Sequence, residues 1–437
     1  MSRPTPTPPV PGVRLRPRRC WRGTIAAGGG DRRWGMADRA PLLEGGWQGE
    51  NVDVAEVKAA LVRSLRALTS HERSGSPHPP IRASLLNRIV RIAGSWDEVR
   101  SREALDELAE LHPSRTITVE TRPEEATGLD ARVSIRCRLR EGGEPLVCFE
   151  EVHLRARGEL AAHLASVVAP LLIPEMPVVL WHLGTIPSGD DELIRLSDRI
   201  VVDSDAVGPA GLDAILWLME QHCPNKIVTD IAWAGIATWR ELLARLFDPT
   251  DARPYQRLVD RLAVRFIGGA PTTRPILMVG FVASSLEWVP VPGDTKDAAG
   301  STYGFRTATG TALAELVQLP PAGLLRPGEL LSVSLQAGQG EEAAYFAVAL
   351  HEDGSCATLR SALPGRPERT ITVPMGRPAW AASLSGELDR RRADTAYRAC
   401  LEAVVRCMGG PGLKGTAAPT SSGGGTRGRG GDQGETR

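Results

Sequence analysis

The feature that most restricts the fold is a train of short apolar runs alternating with helix-patterned segments between residues 178 and 247. Residues 178–183, 199–203 and 226–232 read as short strands, and 190–196, 212–221 and 238–247 carry helical spacing between and after them. Strands separated by single short helices pair in parallel through crossovers rather than as hairpins. The spacing predicts an α/β chain with parallel βαβ units. In open sheets of this kind ligands sit at the carboxyl ends of the strands, which singles out Asp203, Asp205 and Asp230.

The flanks extend this pattern. Asp53 and Glu56 form a capping-box-like pair, and Val54, Val57, Leu61, Leu65 and Leu68 share one helical face behind it. Residues 85–92 and 115–120 read as strands, with a second capping box at Ser95 to Glu98 opening a helix to about Leu111. Val133, Ile135, Cys137 and Leu139 alternate with Arg132, Ser134, Arg136, Arg138 and Arg140, as in a half-buried strand. A Glu-Gly-Gly-Glu turn joins it to a strand at 146–154, which sets Cys137 about opposite Cys148. Facing strand positions can approach disulfide distance, yet free cysteine is commonly a buried, inert residue, and two small core-facing groups is the preferred reading. A helix at 159–168, another at 255–264 and a buried apolar segment at 276–288 complete the layer. Beyond Asp294 the pattern changes to short alternating strands at 302–307, 314–319, 329–336, 343–351, 356–359 and 370–373. A final helix, 380–408, carries Cys400 and Cys407 on one face.

The expected organisation is a disordered extension over 1–48, an α/β domain over 49–292, a smaller β-rich domain with a terminal helix over 300–408, and a disordered tail over 409–437. The extension is rich in Pro, Arg and Gly and has no period before a second candidate start at Met36; the tail holds 11 glycines in 29 residues. Neither can bury enough apolar surface to offset the entropy of ordering. The tail ends in an Arg-Gly-rich run whose RNA-binding reading is weaker than that of a solvated linker.

Several functions are excluded. The 52 basic residues cancel the 52 acidic ones, so no global field draws the chain to nucleic acid or an anionic membrane. Seven scattered cysteines, none in a C-x-x-C pair, argue against a zinc ribbon or disulfide framework. His222 beside Cys223, and His351 with Cys356, lack a second ligand pair, so no metal site is implied. The longest weakly charged stretch, 164–189, is broken by Pro170, Pro174, Pro177 and Pro187, and no signal peptide is recognisable; a soluble cytoplasmic protein is expected. There is no dinucleotide or triphosphate cradle, no H-E-x-x-H and no G-x-S-x-G, and no cofactor is implied. An enzyme reading therefore rests on Asp203, Asp205 and Asp230 as sugar- or nucleotide-processing carboxylates, against their everyday use as helix caps. Tryptophan is abundant, with Trp181, Trp217, Trp233, Trp239 and Trp288 in the middle third; such residues serve as core or as interface anchors.

Four motifs follow one another along the chain: His112-Pro113-Ser114-Arg115, the Pro170–Pro174 run continuing to Trp181, the 197–204 segment ending Asp203-Ser204, and Asp230 to Trp233 followed by Trp239, Arg240 and Phe247-Asp248. In this order they resemble the OpcA family of glucose-6-phosphate dehydrogenase assembly proteins. The match spans about residues 50 to 290 and is looser over 300–408. This sequence departs from the family pattern at His182, where a second Trp is expected, and at Ala234-Gly235, where a polar or basic pair is common. The resemblance implies a non-catalytic protein that binds glucose-6-phosphate dehydrogenase, favours its active oligomer and raises its activity in the oxidative pentose phosphate pathway. It also implies a thioredoxin link in cyanobacteria, which needs suitably placed cysteines. Trp181, His182, Trp239 and Arg240 are the candidate partner-binding residues, set against the slightly preferred reading that they hold the α/β layer together.

Overall fold

Two eight-stranded sheets, laid down one after the other along the chain, organise the molecule. The computed structural model describes residues 42–71, 85–92, 108, 111–139, 145–189, 191–268, 272–297, 300–320, 327–375 and 380–408. The first sheet comprises β1 (Leu42–Gly49), β2 (Leu86–Ile92), β3 (Ser114–Arg122), β4 (Gly128–Leu139), β5 (Pro145–Arg157), β6 (Val178–Leu183), β7 (Arg199–Val202) and β8 (Ile227–Asp230), in the order β1-β4-β5-β3-β2-β6-β7-β8. Strands β5, β3, β2, β6, β7 and β8 run parallel, and β4 pairs antiparallel with β1 and β5. The chain leaves β2 in one direction toward β3 and β5, then in the other toward β6, β7 and β8. That is the doubly wound order, whose crevice lies where the direction reverses.

The crossovers include α1 (Val54–His71), α2 (Leu164–Val168), α3 (Glu192–Leu196), α4 (Ser204–Val207) and α5 (Leu212–Trp217). After β8 come α6 (Ile231–Gly235) and α7 (Ala237–Arg245). Central strands are covered on both sides: all six residues of β6 are buried. Asp191, Asp203 and Asp230 cap α3, α4 and α6, each accepting a backbone N–H two residues on.

The second sheet comprises β9 (Val259–Ile267), β10 (Val289–Asp297), β11 (Gly300–Thr307), β12 (Gly310–Leu319), β13 (Leu330–Ala337), β14 (Ala344–Leu350), β15 (Cys356–Ala362) and β16 (Arg369–Pro374), in the order β10-β11-β12-β9-β13-β14-β15-β16. It is antiparallel except where β9 lies parallel to β12. Helices α8 (Arg274–Ser285), α9 (Trp380–Leu388) and α10 (Thr395–Cys407) complete the described elements. One large core joins both sheets to α1, α7, α8 and α10. A smaller core on the other side of the first sheet gathers Leu86, Val90, Val179, Trp181, Val201 and Ile231 under Leu384 of α9.

The α/β class, the parallel units, the β-rich second half and the terminal helix follow the expected pattern. Four details differ. Residues 255–264 form no helix: a 3-10 turn at 253–258 gives way to β9. There Leu262 and Val264 alternate with Arg261 and Arg265, and pairing with β12 and β13 on both edges overrides a helical spacing of apolar residues. The change of sheet thus falls between Asp230 and Val259, ahead of the boundary expected at 290–300. Residues 42–48, expected to be disordered, belong to β1, which pairs with β4 along eight positions. The final helix is two helices, because Asp394 caps a fresh start at Thr395. The capping box at 95–98 and the tail lie outside the described residues.

Candidate functional site

The residues singled out by sequence occupy three clusters at the edges of the parallel strands. The first is built by the His112 to Arg115 motif. Ser114 opens β3, and Arg115 projects into the interior, where Nε and Nη2 each lie 2.6 Å from Glu150 Oε2 on neighbouring β5. Its Nη1 donates to the Leu171 carbonyl at 2.5 Å. Asn87 on β2 holds the same loop, accepting from Ile173 N (2.8 Å) and donating to the Ile173 carbonyl (3.0 Å). The Pro170–Pro174 run is therefore fixed by side chains from β2 and β3. His112 is half-buried, with Nε2 2.8 Å from Ser385 Oγ on α9. Its carbonyl accepts from Arg88 at 3.2 Å; burial pushes the Arg88 guanidinium down to about 10, against the raising influence of Glu151.

The second cluster lies at the reversal of strand direction. Arg91 at the end of β2 is the register partner of His182 on β6, and Asp191 lies between their side chains. Asp191 Oδ2 is 2.9 Å from His182 Nε2 and pairs with Arg91 Nη1; its Oδ1 accepts from Leu193 N at 3.0 Å. His182 Nδ1 lies 3.4 Å from Thr185 Oγ1. Burial pushes the His182 imidazole below its ordinary value, partly offset by Asp191. Burial raises Asp191, but the bond to His182 and the charge of Arg91 together hold it below the usual carboxylate range. A neutral imidazole oriented by a carboxylate has the parts of a general base. Both groups are shut away, at 3% and 1% side-chain exposure, so the pair acts as a girder between β2, β6 and α3.

The third cluster gathers the strand-end carboxylates. Asp230 Oδ1 accepts from Ser204 N and Ala232 N, both at 3.0 Å, and Oδ2 accepts from the Tyr397 hydroxyl at 2.9 Å. Asp205 Oδ1 accepts from Thr272 Oγ1, Thr273 N and Thr273 Oγ1 at 3.0, 2.8 and 2.9 Å, while Oδ2 sits 2.7 Å from Arg274 Nε. Ser204 Oγ lies 2.7 Å from Thr273 Oγ1. Burial, then the negative charges of Asp205 and Asp230, push Asp203 up to about 7. That is where a proton-transfer group has to lie. The other two carboxylates are spent on caps and loop bonds, and among the described residues no group of His, Cys, Asp and Glu could hold a metal ion.

Beside this cluster Trp233 Nε1 donates to Asp394 Oδ2 at 2.8 Å, and the Arg240 guanidinium stacks 3.6 Å from the Trp233 ring. Burial pushes Arg240 down to about 10, with Asp394 and Glu387 opposing. Asp394 also caps α10 through Ala396 N and Tyr397 N (2.9 and 3.0 Å). Arg199 on β7 donates to Thr229 Oγ1 (2.8 Å) and to the carbonyls of Glu387 (2.9 Å) and Leu388 (3.4 Å). The C-terminal helices are thereby latched onto the ends of β7 and β8.

The expected partner-binding residues do not form a surface. Trp181, His182 and Trp239 are buried, and Arg240 is stacked on Trp233. The reason is the doubly wound layout: β6 is central, so even its polar position His182 is interior. Among the described residues the exposed tryptophan is Trp217, 47% accessible on α5, with its ring 4.4 Å from that of His222. Asp394, Tyr397, Arg199 and Asp191 escaped sequence reasoning. The Asp-x-x-Tyr start of an amphipathic stretch is a cap signal that would have found the first two.

Residues 105–215 match the model of the glucose-6-phosphate dehydrogenase subunit N-terminal domain, and residues 226–401 that of the subunit's C-terminal domain. The chain belongs to the OpcA family. The first match ends within α5 and the second begins just ahead of β8, so the last strand of the first sheet goes with the second family domain. OpcA proteins of this kind include the putative OxPP cycle protein OpcA of a Synechocystis species, 27% identical over 214 residues, 48% of this chain and 44% of that one. That of Nostoc punctiforme is 29% identical over 190 residues, 43% of this chain and 40% of that one. The chain thus matches under half the length of these curated relatives. Among solved structures, an NAD-binding oxidoreductase from Klebsiella pneumoniae aligns with TM-score 0.36 at 13% identity, covering 72% of this chain and 88% of that one. A putative oxidoreductase from Parabacteroides merdae aligns with TM-score 0.41 at 8% identity, covering 75% and 98%. Likeness at that level carries no argument about chemistry.

Thiol chemistry in this OpcA chain is constrained by burial. Cys223, Cys400 and Cys407 are free and buried; burial pushes the Cys223 thiol up, Cys400 well up and Cys407 up to about 12. None has the thiolate character that exchange with thioredoxin needs. Cys137 and Cys148 are direct register partners across β4 and β5, as the turn length predicts. No described helix is long and apolar enough to cross a membrane.

Proposed function

We propose that this chain is a non-catalytic partner subunit that binds glucose-6-phosphate dehydrogenase, favours its active oligomer and raises its activity. The observation that carries the reading is the ordered match of both halves of the chain to dehydrogenase-subunit domain models. The fate of the strand-end carboxylates agrees with it. Asp230 and Asp205 spend their oxygens on helix caps and loop bonds, and the His182–Asp191 pair is closed off from substrate. An activator acts by binding the active state of its target more tightly, and couplings of about 1–3 kcal/mol give roughly 5- to 150-fold effects.

The test is a titration of the purified chain into glucose-6-phosphate dehydrogenase of the same organism, following NADPH formation and complex size together. A saturable rise in rate with a shift to a larger species is expected. Unchanged rate and size would overturn the reading.

A further inference from the structure

The second sheet has an uncovered side. Along its strands the residues Leu262, Val264, Tyr303, Phe305, Val333, Leu335, Phe346 and Val348 point toward α7, α8 and α10 and are buried. The residues between them point the other way, where no described helix lies. In register across the sheet, Val291 faces Gly304, Gly304 faces Leu313, Leu313 faces Arg261, Arg261 faces Gln336 and Gln336 faces Tyr345. This row puts Val291, Leu313 and Tyr345 in solvent at 47%, 40% and 42% exposure, with Val289 beside them at 45%. Those are four of the eleven large apolar side chains exposed among the described residues. The next row is a flat platform of small groups, Ala263, Ser334 and Ala347, and the space above Gly304 is empty to 4 Å.

We propose that this open face is the surface on which the chain takes its partner, an acidic face of the dehydrogenase; the proposal rests on the reading given above and adds the place and the charge of the contact. Three exposed arginines stand on the face, Arg261 and Arg265 on β9 and Arg306 on β11, with Glu315 on β12 as the carboxylate among them. No ion pair engages any of the three arginines among the described residues. Eight strands about 4.8 Å apart and about six residues of roughly 3.4 Å each give about 700 Å², near the roughly 800 Å² per partner of a stable interface. A patch of exposed apolar residues rimmed by charge is the usual mark of such a surface. A second copy is disfavoured as the occupant. Strands β9 and β13 are the middle of the sheet, so two such faces packed on each other would bring Arg261 and Arg265 against their own counterparts, and like charges across an interface suppress pairing.

The test compares the wild-type chain, the double variant Arg261→Glu/Arg265→Glu, the variant Ser334→Arg, and a control, Arg132→Glu, on the exposed side of β4 in the first sheet. Each is checked for folding by thermal melting, for its own size by light scattering, and for binding to purified dehydrogenase at low and moderate salt. The proposal expects a monomeric chain, at least tenfold weaker binding by both open-face variants, wild-type binding by the control, and wild-type affinity that falls with salt. If the wild type binds and the folded open-face variants bind equally well, the surface is wrong while the function stands. If the chain pairs with itself and the open-face variants make it monomeric, a second copy occupies the face and the proposal is overturned. If the wild type does not bind the dehydrogenase at all, the functional reading fails and takes this one with it.

Discussion

The central strands of the first sheet are covered on both sides, whereas the second sheet turns one side to its helices and the other to solvent. The consequence shows in where the polar residues go. In the first sheet Arg88, Arg115, Glu150, His182 and Asp230 are interior and matched by specific partners, so charge there fixes the geometry of loops and caps. In the second sheet Arg261, Arg265 and Arg306 stand outside, and no ion pair engages them among the described residues, so charge there is available to another molecule. On the proposal made above, a family motif rich in polar residues is not the guide to the binding surface. The motif residues mostly hold the first sheet together, and the face suited to contact carries small and ordinary side chains.

Four substitutions can break or sharpen this contrast. The largest effect is expected from Arg115→Ala, which leaves Glu150 charged and buried; removing one member of a buried pair costs about 3–5 kcal/mol, and urea unfolding of the variant measures it. Loss below about 1 kcal/mol would mean that the interior charges of the first sheet are not structural. Tyr397→Phe removes the donor to Asp230 Oδ2 and should cost about 1–3 kcal/mol, the cost of stranding a buried acceptor, with early loosening of the C-terminal helices in hydrogen exchange.

Asp203 supplies a pH signature. Its carboxyl keeps its proton to about pH 7 in the folded chain, while the unfolded one releases it near pH 4. The folded state thus holds the extra proton between those values, and stability contributed by this group falls as pH rises through that window. Asp203→Asn, which keeps the capping oxygen, should flatten the decline between about pH 4 and 7 and be more stable than wild type at pH 8 by about 1–2 kcal/mol. Identical pH profiles for the two proteins would contradict the assignment. The smallest effect on stability is expected on the open face: Tyr345→Ser should change the unfolding free energy by no more than about 0.5 kcal/mol, while weakening the dehydrogenase complex measured by calorimetry.

Much of the architecture was legible in the sequence because its strands carry short-range signals. The alternation over 178–247 gave parallel units, and the arginine alternation around Val133 and Ile135 gave β4 with the register that sets Cys137 opposite Cys148. Strand β9 was not legible, since Leu258, Val259 and Leu262 also fit a helical spacing and the two neighbouring strands that decide the matter come 50 or more residues later. The site was less legible than the fold. Asp203 and Asp230 were correctly placed at strand ends, but Tyr397, the partner of Asp230, and Asp394, the partner of Trp233, sit more than 160 residues away from them, and no local pattern links them. Trp181, with His182 beside it, was a candidate interface anchor because tryptophan serves either as core or as an anchor; the two-sided burial of β6 places both residues in the interior.

The central claim is that the partner meets the outer face of the second sheet while the polar groups of the first sheet remain internal. Hydroxyl-radical footprinting of the chain with and without glucose-6-phosphate dehydrogenase tests both halves at once, because Tyr345, Leu313, Trp217 and Val62 are all exposed and oxidisable in the free protein. The account predicts that the dehydrogenase shields Tyr345 and Leu313 and leaves Trp217 on α5 and Val62 on α1 as reactive as before. Shielding of Trp217 or Val62 with Tyr345 and Leu313 unchanged would contradict it.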